Sequence, residues 1–252
     1  MADRPHLGTV RLPRLAAGRD EVLWPAMLDL AAALPQPWTL IGGQMVYLHG
    51  VLAGRSPHRF TEDIDVVFDM RVEINAIAKA DRALDQLGYE VAGVSADGLA
   101  YRYRNGDGVE VGILAPDHLG ERVLPKLHTR HGRTVQVPGA RKALQHSCTF
   151  TANYGDREEV AFVPSLLTAI NIKLKAIGLP GPTERFGSRH LDDIAFLVSL
   201  VDDPDALLSD PVYKSLPLNA AAALDAPTHS SWRKLGGHAE DGVAAWSMLR
   251  EG

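Results

Sequence analysis

Cysteine is almost absent: Cys148 stands alone in 252 residues. An internal disulfide and a cysteine-built metal cluster are both excluded, and a reducing, cytoplasmic setting is expected. Long apolar runs are missing too. No stretch approaches the ~18 residues that a membrane span needs. The opening MADRPHLGTVRLPRL lacks the apolar core of a signal peptide, so no membrane partner is expected. Positive charge is not in excess either. A formal net charge of -5 argues against a protein that coats nucleic acid by bulk electrostatics, which leaves only a local basic patch for that purpose. There is no GxxxxGK[ST] and no G-x-S-x-G, so neither a P-loop nor a hydrolase elbow is supported. What the chain does have is a 46% hydrophobic composition, enough for one large domain or a domain with a helical annex.

The hydrophobic periodicity predicts an α/β (α+β) protein with a mixed sheet flanked by helices. Residues 1–19 read as a loosely held arm, 20–163 as the core, and 164–252 as a helical C-terminal part. A helix is expected over 20–34, stopped by Pro35 and Pro37. The strand WTLIGG (38–43) and the helix QMVYLHGVL (44–52) form a strand, glycine turn and helix. An acidic strand follows at 64–69. Residues 72–87 show Ile74, Ile77, Ala80, Leu84 and Leu87 at helical spacing, with Gly88 just beyond. Three strands, 89–94, 99–104 and 109–114, come next, the last two joined by the hairpin signal NGDG. Further on, 158–163 reads as a strand, Pro164 as the opening of a helix that contains Lys173 and Lys175, and 190–201 as another helix. Trp232 and Trp246 read as packing anchors. His128 and His131, in HTRHG with no further ligand at metal spacing, read as a surface pair.

The segment RFTEDIDVVFD (59–69) carries the chemistry. Ile64, Val66, Val67 and Phe68 suit a buried strand, whereas aspartate is depleted in strands. Residues i and i+2 share a face, so Asp63 and Asp65 project side by side. Paired carboxylates repel unless a cation or donor lies between them. Magnesium resolves this economically, being held by one or two carboxylates together with substrate phosphates. The plainer alternative has one aspartate ending the strand and the other facing solvent. Gly42 and Gly43, lacking side chains between strand and helix, would let a phosphate approach the helix N-terminus. Glu110, on a strand able to pair beside the acidic one, offers a third carboxylate. The segment 121–146 holds six Lys or Arg against one acid and is a candidate anion surface.

IGGQ, TEDIDVVF, INIKLKAI and RHLDDIAFL, in that order over about residues 36–200, resemble the nucleotidyltransferase fold of the DNA polymerase β superfamily. More narrowly, they resemble the AbiEii/MenT-type nucleotidyltransferase toxins. The resemblance implies phosphate-facing Gly42 and Gly43, Arg59 and Thr61 at the entry to the acidic strand, and Asp63 and Asp65 as metal ligands. It also implies Lys173 as the family lysine and Asp193 as the later acid, orienting that lysine or meeting the nucleotide. The implied cofactor is Mg2+, or Mn2+ in its place; the substrate is a nucleoside triphosphate (NTP). The implied acceptor is the 3′ end of tRNA, bound through 121–146, and an antitoxin protein is the implied partner. The same fold also modifies hydroxyls of aminoglycoside-like small molecules, and a catalytically silent interaction module is a third reading. Two departures stand out. Many relatives place the third carboxylate where this chain has Gly112, so either Glu110 substitutes or two aspartates suffice. Gln44 takes the place of a phosphate-binding serine.

Overall fold

The computed structural model describes residues 4–57, 60–179 and 184–252. In chain order its elements are β1 (His6–Arg11), α1 (Asp20–Ala33), β2 (Trp38–Ile41), α2 (Gly42–Leu52), β3 (Ile64–Phe68), α3 (Ala76–Gln86), β4 (Glu90–Val91), β5 (Arg102–Arg104), β6 (Glu110–Pro116), β7 (Gln136–Val137), α4 (Ala140–Gln145), β8 (Ser147–Tyr154), β9 (Arg157–Pro164), α5 (Leu166–Ala176), α6 (Glu184–Val198), α7 (Pro204–Ser209), α8 (Ser230–Arg233) and α9 (Ala239–Glu251). This is an α+β protein with mixed sheets. It divides into two compact units: residues up to Met45 with Thr61–Pro164, and Val46–Phe60 with everything from Ser165 onward.

The first unit is built on two sheets. One runs β2-β3-β6-β5-β4, with β7 beside β6; the other is β1-β8-β9. β2 is antiparallel to β3, β3 is parallel to β6, and β5 is antiparallel to β6. The NGDG turn closes β5 onto β6 because the Asn105 side chain accepts from the amides of Asp107 and Val109, a local turn mimic open to Asn. α3 and α4 lie against the larger sheet, and α1 against β8 and β9. Trp24 and Trp38 are fully buried. Trp38 meets Phe162 edge-on at 4.8 Å between ring centroids, a favoured aromatic geometry.

Several expectations change. Residues 6–11, read as part of a loose arm, form β1, paired in parallel with β8. β8 alternates buried Phe150 and Ala152 with half-buried Thr149 and Thr151; its apolar side chains are few and small, so its period of two stands out weakly. The strands expected over 89–94 and 99–104 shrink to β4 and β5. The helix expected over 72–87 begins only at Ala76, and Ile74, expected on its apolar stripe, is exposed. Pro164 ends β9 instead of opening α5. Ser165 caps that helix, its hydroxyl accepting from the Thr168 amide, as short polar residues do at helix starts.

The second unit is helical. α5 packs on α6, and α6 on α8 and α9. Trp232 and Trp246 are buried, and their indole N–H groups reach the Leu224 carbonyl and the Asp225 carboxylate. Both are packing anchors with satisfied donors. Among the described residues, no helix is long and apolar enough to cross a membrane.

Candidate active site

In the first unit the acidic strand, the start of α2 and β6 meet at Asp65. β3 pairs with β2 and β6 so that Asp65 stands opposite Ile41 on one side and Gly112 on the other. Its carboxylate fills the spaces that side chains at two glycines would need: a Cβ on Gly42 would collide with Oδ2, and one on Gly112 would lie 2.5 Å from Oδ1. Gly42 also has φ +73°, a left-handed conformation that glycine adopts without steric cost. Gly43 behaves similarly, since a Cβ there would strike the Thr61 methyl group. The room above both glycines is taken by Asp65 and Thr61, and the glycines let the acidic strand close onto the helix start.

Gln44 is wholly buried, and its amide donates to the Thr61 carbonyl at 2.5 Å. It ties down the entry to the acidic strand instead of facing a phosphate. Arg59 lies outside the described residues. Asp63 sits just before β3 and keeps solvent access. Its carboxyl is nevertheless lifted above the usual range, first by desolvation and then by the negative charge of Glu110, against the opposing pull of Arg102 and Arg104.

Glu110 lies near this pair but is held by two arginines. Arg104 Nε donates to Glu110 Oε1 at 3.0 Å, and Arg102 Nη1 is 3.6 Å from Oε2. The strand register explains the arrangement. Across three strands Asp65, Gly112 and Arg102 form one row, and Arg104 faces Glu110 directly. Directly paired residues project to the same face, so bare Gly112 leaves Asp65 and Arg102 as the side chains of their row. The charges of Asp65 and Asp63 help hold Arg102 in its charged form: burial alone would lower its pKa, and the Tyr101 contact and these two acids outweigh it. Sequence reasoning passed over Arg102 and Arg104: counting outward from NGDG puts Arg104 opposite Val109, whereas the hairpin closes with the Asn105 amide on the Val109 carbonyl, which moves Arg104 opposite Glu110.

Oxygen donors suited to a hard divalent cation are therefore Asp63 and Asp65, a pair of the kind that holds magnesium together with substrate phosphates. Among the described residues, no group of three or more His, Cys, Asp or Glu is arranged to hold a metal ion.

In the second unit Lys173 and Asp193 form a buried ion pair, Nζ to Oδ2 at 2.8 Å, with side chains 5% and 3% exposed. The adjacent Asp192 is engaged separately, accepting from Ser231 and Lys234 at 2.7 Å each. Lys175, two positions along α5, is half-buried and lies to another side. Of the two open readings for Asp193, the geometry matches orientation of the lysine.

In the basic segment, Arg130 is committed to Asp81 at 2.9 Å and Asp85 at 3.2 Å. Arg122, Lys126, Arg133 and Arg141 are exposed.

No protein-family model matches the chain, and no curated protein matches it in sequence. Among solved structures it is similar to an antigenic nucleotidyltransferase-like protein from Paracoccidioides brasiliensis. The identity is 16%, the match covers 90% of this chain and 92% of that one, and the TM-score is 0.46.

Proposed function

We propose that the protein is a nucleotidyltransferase that moves a nucleotidyl group from an NTP to an acceptor hydroxyl, with the 3′ end of tRNA as the acceptor and growth arrest as the outcome, in the manner of a toxin partnered by an antitoxin. The observation that carries this reading is the seating of Asp65 between Gly42 and Gly112, with Asp63 two residues away. A strand that opens on paired carboxylates against a glycine helix start is the arrangement the motif resemblance implies. Asp63 and Asp65 would hold magnesium or manganese, which would supply charge neutralisation on the triphosphate and activation of the attacking hydroxyl. The acceptor oxygen then bonds to the α-phosphorus as pyrophosphate leaves. The motif resemblance gives Lys173, held by Asp193 at 2.8 Å, the role of the family lysine that meets the triphosphate. Exposed Arg122, Lys126, Arg133 and Arg141 suit the phosphates of an RNA acceptor.

The test incubates the pure protein with each labelled NTP, Mg2+ and total RNA. Label should enter a tRNA-sized species, with none transferred by Asp63→Asn. Transfer only to small molecules would redirect the reading to the aminoglycoside-like alternative. Absence of transfer with every nucleotide would favour the catalytically silent module, to which the capture of Glu110 by Arg102 and Arg104 gives some support.

A further inference from the structure

A second recess in the first unit has a chemistry unlike that of the acid pair. It encloses about 220 Å3 between one stripe of α1, the residues that follow α3, and the β5–β6 turn. Glu21, Pro25 and Asp29 recur on α1 at helical spacing, Tyr89 forms another wall, and Asp107 comes from the turn. Among the described residues, no Lys, Arg or His lines it.

Its polar groups are mostly acceptors. Glu21 and Asp107 are exposed carboxylates. Asp29 lines the recess while its Oδ1 accepts from Arg157 at 2.7 Å. Pro25 has no amide hydrogen, so the Glu21 carbonyl lacks the i+4 donor that a helix would ordinarily supply. Tyr89 points independently to a ligand. It is 5% exposed, and among the described residues its hydroxyl has no hydrogen-bond partner. An unmet buried hydroxyl is costly and calls for a partner. Burial first, with the nearby Asp29 and Asp107 charges adding to it, pushes that phenol up to about 12, so it stays neutral and its oxygen remains able to accept from a cation.

We infer that this recess binds a small organic cation, a primary ammonium carried on a compact carbon frame. Three carboxylates and a phenol oxygen, four acceptor groups, are more than enough for the three donors of an ammonium group. The apolar stretch of Val22, Ala26 and Leu87 suits the carbon frame. The volume lies below the ~300 Å3 at which drug-sized sites begin, which limits the ligand to an alkyl diamine or a single aminosugar ring.

Calorimetric titration of the full chain at low salt with 1,4-diaminobutane and with glucosamine tests this, using 1,4-butanediol and glucose as neutral counterparts. At least one amine should bind, and neither neutral analogue should. Binding of the diamine alone, or of the aminosugar alone, identifies the source of the ammonium. Tyr89→Phe removes a hydroxyl that has no protein partner, so the fold should hold while amine affinity falls about tenfold. Asp107→Asn should weaken binding several-fold and lower its salt dependence. The inference is overturned if neither amine binds, if the neutral analogues bind equally well, or if Tyr89→Phe, shown to be folded, binds as wild type does.

Discussion

Asp65 Oδ1 lies 2.5 Å from the point that a Cβ on Gly112 would occupy. Position 112 is thus a glycine because the carboxylate of the neighbouring strand uses its space. Gly112→Ala should force Asp65 from its seat and reduce nucleotide transfer at least about tenfold, an added barrier of about 1.4 kcal/mol. Gly42→Ala adds backbone strain to the same collision. Gly155, with φ +64° and open space around it, provides the strain alone. Denaturant melts should show Gly42→Ala less stable than Gly155→Ala; equal losses would remove the steric account of Asp65.

Asp63→Asn and Asp65→Asn should each abolish transfer. For Asp63 the fold should hold or gain slightly, because the native carboxyl already suffers desolvation and the charge of Glu110. Urea midpoints measured beside activity separate the two effects, and wild-type transfer by either variant would end the metal assignment.

Glu110→Gln distinguishes a ligand from a partner of the arginines. Held by Arg102 and Arg104 at a largely open site, Glu110 should contribute less than ~1 kcal/mol to stability. Activity should fall less than tenfold, with the magnesium half-saturation unchanged. A hundredfold loss accompanied by a shifted magnesium curve would return Glu110 to the metal site.

Lys173 and Asp193 test the cost of a broken buried pair. Lys173→Ala removes the buried ammonium that lies 2.8 Å from Asp193 and should cost ~3–5 kcal/mol. The double variant Lys173→Met with Asp193→Leu should recover most of that stability and none of the transfer. Lys175→Ala should stay within ~1 kcal/mol of wild type and remain active. Transfer by the double variant would show the pair to be purely structural.

Asp81 predicts acid lability. Its buried carboxylate accepts from Tyr103 and from the Arg130 side chain and amide, each at 2.9 Å. Burial would raise its pKa, but these hydrogen bonds hold it below the usual carboxylate range. The unfolded state therefore takes up this proton first as pH falls. The stabilisation is complete above the unfolded value and is lost as pH drops through the folded one. Asp81→Asn should lose about 1.5–3 kcal/mol at neutral pH and flatten the acid limb of a stability curve; an unchanged acid limb would assign that slope to other groups.

Much of this protein was legible in its residues. The alternation of strand and helix from 38 to 114, the NGDG hairpin, the paired aspartates and the packing role of Trp232 and Trp246 all follow from side-chain period, turn chemistry and apolar bulk, which are local properties. Tertiary structure decided the rest. β1 exists because His6 and Thr149 pair across most of the unit, and nothing in HLGTVR alone names that partner. Gly42 and Gly112 are distant in sequence, and only strand pairing brings both against one carboxylate. Gln44 looked available to a ligand until burial gave its amide the Thr61 carbonyl, and Arg102 falls in the row of Asp65, across bare Gly112, only through the pairing of three strands. Periodicity is written into neighbouring side chains, whereas the occupant of a given space depends on which distant strand arrives there.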